Sequence, residues 1–168
     1  MPDVKLIVMF RNPADRTYLH YSRRFVKGGE HRSFEQVVNE ELTFLEQKQE
    51  PKTLKDVSTR YMLYPYLSRS LYYDELKVWT KYFPKSQILV IKSEDFFKEP
   101  HEVLRKVYDF LGKKNIDLEK ILDSNVNRNK GGLDVKMDQN IRKKLIEFFK
   151  PYNEKLNKLL GRNMNWDM

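Results

Sequence analysis

Cysteine is absent from this 168-residue chain, which excludes a disulfide framework, a thiolate nucleophile and cysteine zinc sites. Histidine is nearly as scarce. Three scattered copies, His20, His31 and His101, are poor material for a metal centre, so no metal is expected. The longest continuous apolar run, Leu6 to Phe10, falls far short of the ~20 residues that cross a bilayer, and no transmembrane segment is expected. Met1-Pro2-Asp3 lacks the basic start of a signal peptide, and with the missing cysteine this reads as a soluble, cytoplasmic chain. Neither Gly-x-x-x-x-Gly-Lys-Ser/Thr nor Gly-x-Gly-x-x-Gly occurs, so the P-loop and dinucleotide fingerprints are both missing.

What is present is charge. Charged residues make up 33% of the chain, and 32 Lys and Arg against 24 Asp and Glu leave a net +8, which favours an anionic partner. The excess is spread over both halves with no basic arm and no recognised docking motif, so nucleic acid is not expected as that partner. At this length, with 40% hydrophobic content, one packed domain over residues 1–168 is expected.

Two segments read as strands. Residues 5–10 and 87–92 are short, β-rich apolar runs bounded by polar residues, the pattern of parallel strands buried on both faces. The rest reads as helix: from Pro13 to Gly28-Gly29; from the capping pair Ser33 and Gln36 towards Gln49; from Leu67 to Phe83; from Pro100 to a cap at Gly112; a short one over 118–122; and a final one capped by Asp138 that Pro151 interrupts or bends. Residues 51–66 read as a polar, then Tyr-rich connection. The class is therefore α/β, with few parallel strands covered by helices. Two strands do not make an independently stable sheet, so either an edge is left bare or strand-bearing sequence belongs before Met1.

Chemistry concentrates at three places. Arg11, just past the first strand, puts a guanidinium at the carboxyl end of a parallel sheet, where open α/β folds bind ligands and where it can grip a phosphate with two hydrogen bonds; it can equally pair with Asp15. The loop Asn127-Arg128-Asn129-Lys130-Gly131-Gly132 lets backbone amides approach an anion, or is an ordinary polar loop before a capped helix. Tyr61, Tyr64, Tyr66, Tyr72 and Tyr73, interleaved with Arg60 and Arg69, line a ligand cleft or belong to the core with satisfied hydroxyls. His20 reads as a partly exposed surface histidine rather than a general base, and the adjacent carboxylates Glu40-Glu41 and Glu94-Asp95 diverge too much to work as pairs.

Four stretches together resemble the sulfotransferase domain family, particularly its carbohydrate (heparan-sulfate-type) branch and bacterial relatives: residues 6–16, running Leu-Ile-Val-Met-Phe-Arg-Asn-Pro-Ala-Asp-Arg; Leu71-Tyr72, Leu76, Trp79 and Phe83-Pro84; residues 87–91 with Glu94-Asp95-Phe96, Pro100 and Phe110-Leu111-Gly112; and Lys130-Gly131 with Met137-Asp138, Leu160-Gly161-Arg162 and Trp166. The resemblance implies a P-loop-NTPase-like three-layer sulfotransferase fold, here truncated. It implies transfer of a sulfuryl group from 3′-phosphoadenosine 5′-phosphosulfate (PAPS) to a hydroxyl or amine of an acceptor, with a carbohydrate favoured. By the same likeness Arg11 contacts the donor's 3′-phosphate, and Lys130, Gly131 and Gly132 belong to a second loop closing over it.

The chain departs from the family pattern in three ways. Leu19 stands where the family has a serine for the 3′-phosphate, with Ser22 one turn on as a partial substitute. Gly132 stands where the second loop has an arginine. The 5′-phosphosulfate loop, its lysine and the catalytic base are expected before Met1, so no catalytic residue is assigned and weak or no activity is expected of the chain alone. The alternative is a noncatalytic module that binds nucleotide or sulfated glycan.

Overall fold

The computed structural model describes residues 3–47, 53–63, 65–113 and 136–166. Its elements run β1 (Leu6–Phe10), α1 (Pro13–Val26), α2 (Phe34–Glu46), α3 (Leu54–Leu63), a 3-10 turn (Ser68–Ser70), α4 (Tyr72–Trp79), a second 3-10 turn (Lys85–Gln87), β2 (Ile88–Lys92), α5 (Ser93–Lys98), α6 (Pro100–Leu111) and α7 (Gln139–Leu160). The chain is α/β, and it divides into two units: Met1–Arg11 with Phe83–Lys130, and Asn12–Tyr82 with Gly131–Met168.

The first unit holds the sheet. β1 and β2 pair in parallel with Leu6 opposite Ile88 and Phe10 opposite Lys92. Phe10, Val90, Ile91 and Val103 are buried, and α5 and α6 pack on β2. Lys5 donates to the Phe110 carbonyl and lies 5.4 Å from the centre of that ring, tying the start of β1 to the end of α6. Gly112 closes α6 in the left-handed conformation, φ 72°, which its missing Cβ permits. Burial of β1 on both faces does not hold: Ile7 is 43% and Met9 51% exposed. The sheet has two strands only among the described residues, so β1 has one strand neighbour and too little cover for its second face.

The second unit is helical. Ala14, Tyr21, Val37, Val38, Leu42 and Leu45 from α1 and α2 meet Tyr66, Leu67 and Leu71 and, from α7, Leu145 and Phe149 in one core. Its longer helices start where side chains cap them. Asn12 Oδ1 accepts from Ala14 N and Asp15 N at 3.0 and 3.3 Å, Ser33 and Gln36 form a reciprocal capping box, and Asp138 accepts from Asn140 N and Ile141 N.

Three expectations need correction here. The stretch read as a connection contains α3, opened by Thr53 Oγ1 accepting from Asp56 N and Asp56 accepting from Thr53 N. The helix read over 67–83 is a 3-10 turn followed by α4, because the buried Glu41 carboxylate takes the amides of Tyr66 and Leu67 at 3.2 and 2.7 Å and fixes a turn there. Pro151 does not interrupt the last helix: α7 runs through it, and since Pro151 and Glu147 are exposed, the carbonyl that loses its partner can reach water. The expected helix over 118–122 lies outside the described residues.

Candidate functional site

In the first unit the parallel register sets the site. Because Phe10 faces Lys92, the residues that follow, Arg11 and Ser93, leave the two strands at the same carboxyl edge. Arg11 and Lys92 are half-buried there, so two cationic side chains belong to one sheet end. Ser93 is buried, with its hydroxyl 3.4 Å from Glu94 Oε2. Lys92 and Ser93 were not among the residues singled out from the sequence, although matching the ends of the two apolar runs would have found them.

The second unit takes up the motif at Asn12. Asn12 and Pro13 are structural: the asparagine caps α1 and donates to the Trp166 carbonyl at 3.2 Å, and the proline occupies the first turn, where its missing N–H costs nothing. Asp15, offered above as a partner for Arg11, pairs with Arg142 of α7. Thr17 is fully buried, bonding Pro13 O at 2.8 Å and Ser70 Oγ at 3.1 Å. Leu19 is half-buried. Ser22 is buried, and its hydroxyl donates to Tyr18 O at 2.7 Å, so contact with a phosphate requires that proton to be redirected. Lys130, Gly131 and Gly132 lie outside the described residues.

Tyr66 and Tyr72 are core residues, Tyr66 with its hydroxyl donating to Glu30 at 2.8 Å and Tyr72 beside the Trp166 ring. Tyr73 is half-buried between Lys77 and Lys155. Tyr64 and the side chains of Arg60 and Tyr61 lie outside the described residues. The adjacent acidic pair Glu40-Glu41 diverges as expected: Glu40 reaches Arg32, whereas Glu41 turns inward to the amides.

Among the electrostatically shifted groups, two carboxylates and one imidazole bear on the chemistry. Glu30 is held well below the ordinary carboxylate range, first by its hydrogen bonds from the Arg32 side chain, against the cost of burial. Glu41 goes the other way, burial pushing it up to about 7 against the pull of the Leu67 and Tyr66 amides. His20 is lowered to about 4, first by burial, then by Arg16, Arg69 and Arg24, while a hydrogen bond to the Pro65 backbone opposes them. It is half-buried against the Tyr66 ring, in keeping with the partly exposed histidine expected.

Among the described residues no cluster of three or more His, Asp or Glu side chains could hold a metal ion, and no helix is long and apolar enough to cross a membrane. The family model for the sulfotransferase domain matches residues 1–157. The chain is 38% identical over 100 residues to the membrane-associated sulfotransferase kil1 of Dictyostelium discoideum, covering 60% of this chain and 20% of that protein. It is 28% identical over 184 residues to heparan sulfate glucosamine 3-O-sulfotransferase 3B1 of Mus musculus, covering 98% of this chain and 44% of the relative. A crystal structure of a sulfotransferase from Alicyclobacillus acidocaldarius superposes with a TM-score of 0.72 at 26% identity, over 99% of this chain and 59% of that one. The chain thus spans less than half the length of these curated relatives.

Proposed function

The chain belongs to the sulfotransferase domain family, and from that premise we propose that it carries the part of a PAPS-dependent sulfotransferase that grips the donor's 3′-phosphate. Arg11 supplies the grip, its planar guanidinium matching two phosphate oxygens with parallel hydrogen bonds. By the family likeness Lys130, Gly131 and Gly132 belong to the loop that closes over the nucleotide, and Ser22 is the candidate to stand in for the family's serine. The observation that carries the reading is the position of Arg11, at the end of β1 in register with the end of β2, inside a stretch that the family matches throughout.

The reaction is sulfuryl transfer to a hydroxyl or amine: the acceptor's oxygen or nitrogen forms the new bond to sulfur, the bond to the bridging phosphate oxygen breaks, and the acceptor's proton leaves to a base. A carbohydrate acceptor is supported by the relatives named for heparan sulfate glucosamine. Such transfer depends on in-line positioning and on cations where charge builds on the leaving phosphate. The sequence holds no P-loop pattern to supply those cations, and losing one such donor typically costs about two to three orders of magnitude. Donor binding is therefore the activity to measure first in this chain.

Adenosine 3′,5′-bisphosphate should raise the thermal midpoint in a saturable way, adding about 2.7 kcal/mol at 100 times its dissociation constant. Absence of a shift in the wild type contradicts the reading. A second reading, noncatalytic binding of nucleotide or sulfated glycan, is favoured by Leu19 and Gly132 standing where the family pattern has a serine and an arginine. Nucleotide binding with no sulfated product from any offered acceptor, even when a 5′-phosphosulfate loop of the family is supplied in a fused segment, would select it.

A further inference from the structure

Helix α1 carries a second cationic feature, wholly within the helical unit, that the donor reading leaves unused. Arg16, His20 and Arg24 are spaced i, i+4, i+8 and so share one face of the helix, and Arg69 of the 3-10 turn is near enough to disfavour a proton on His20. Two nitrogens in this group, Arg16 Nη1 and His20 Nδ1, are buried and have no hydrogen-bond partner among the described residues. Buried polar groups are normally satisfied, so the orphaned Arg16 donor calls for an acceptor from outside the chain, while His20 Nδ1, a lone pair in the neutral ring, becomes a second donor only on protonation. The neighbouring carboxylates do not supply it. Glu30 is occupied by Arg32 and by the Tyr66 hydroxyl, and Glu41 by the amides of Tyr66 and Leu67. Arg24 spends one nitrogen on Gly29 O at 3.1 Å, and its exposed guanidinium keeps further donors, while Arg69 is exposed as well.

We propose that Arg16, Arg24, Arg69 and His20 form a binding site for a tetrahedral oxyanion, a sulfate or phosphate ester. Such an anion offers acceptors only, and guanidinium forks match its oxygens in pairs. His20 gives the site a signature. In the free protein its ring is kept neutral by burial and by the three arginines. An anion among those arginines offsets their field and gives a protonated Nδ1 an acceptor, so binding takes up a proton and, reciprocally, tightens as pH falls. Because Arg11 plays no part, the proposal stands or falls independently of the donor reading.

Sulfate is the probe of choice, since it does not itself titrate near neutrality. Histidine ring signals followed by NMR, with sulfate against chloride at matched ionic strength, should show a saturable change at His20 and a rise in its apparent pKa of at least one pH unit, with His31 and His101 moving less. One unit corresponds to tenfold in sulfate affinity across the titration. At pH 7, Arg16→Gln and, separately, the exposed Arg69→Gln should each weaken sulfate binding at least tenfold. A His20 response identical in chloride, or sulfate binding unchanged in both variants, overturns the site. Competition in an Arg11→Ala background distinguishes the source: displacement of sulfate by adenosine 3′,5′-bisphosphate marks a nucleotide phosphate, and displacement by a sulfated monosaccharide marks a sulfate ester.

Discussion

The helical unit and the sheet unit solve the burial problem with different success. In the helical unit α1, α2 and α7 close on one another around a shared core, so Val37, Leu145 and Phe149 reach 1% exposure or less. In the sheet unit two strands have two faces and two outer edges to cover, and Ile7 and Met9 stay open on β1. The difference separates stability from function. The unit with the better-closed core carries capping, core aromatics and a buried carboxylate, whereas the less covered unit brings Arg11 and Lys92 to one sheet end.

Core truncation should break this contrast most forcefully if it is wrong. Phe149→Ala removes a ring that is 1% exposed and should cost about 3 to 5 kcal/mol in urea unfolding, as large-to-small core changes do. A cost under about 1 kcal/mol would mean that the helical core is not packed as described.

The buried carboxylate gives the next largest effect. Glu41 rises from an ordinary 4.5 to about 7 on folding, so its contribution is fully present below about pH 4.5 and is lost as pH climbs through 7. Relative to Glu41→Gln, the wild type should lose on the order of 3 kcal/mol across that window. His20 titrates in the opposite sense, its depressed value giving stability that is lost as pH falls from 6.5 towards 4, but both proteins share it and the difference cancels it. A wild-type and variant pair whose stabilities run parallel from pH 4.5 to 7 would remove Glu41 from this role. At the small end, Met9→Lys on the open face of β1 should change stability by no more than about 0.5 kcal/mol, and a larger loss would show that this face is covered after all.

Much of the fold was legible because its signals are local. Both strands followed from their apolar runs, and Pro13, the Ser33 and Gln36 pair, Gly112 and Asp138 marked helix ends that depend on nearby residues alone. α3 was missed although Thr53 and Asp56 carry a capping signal at the same spacing as Ser33 and Gln36, because the surrounding residues looked too polar for a helix. The split of residues 67–83 into a 3-10 turn and α4 was not legible: the backbone entering it is held at Tyr66 by Glu41, 25 residues earlier in the chain. At the site, Arg11 was readable from the end of an apolar run. The pairing of Asp15 with Arg142, 127 residues away, was not, nor was the burial of His20 among arginines from two elements.

The central claim is that the Arg11 guanidinium recognises a 3′-phosphate. Calorimetric titration of wild type and Arg11→Ala with adenosine 3′,5′-bisphosphate and with adenosine 5′-monophosphate tests it most directly, since the two ligands differ in that one group. The account predicts that Arg11→Ala weakens the bisphosphate at least tenfold, the scale of a charge-assisted contact, and leaves the monophosphate unchanged. Equal losses for both ligands, or none for either, would contradict it.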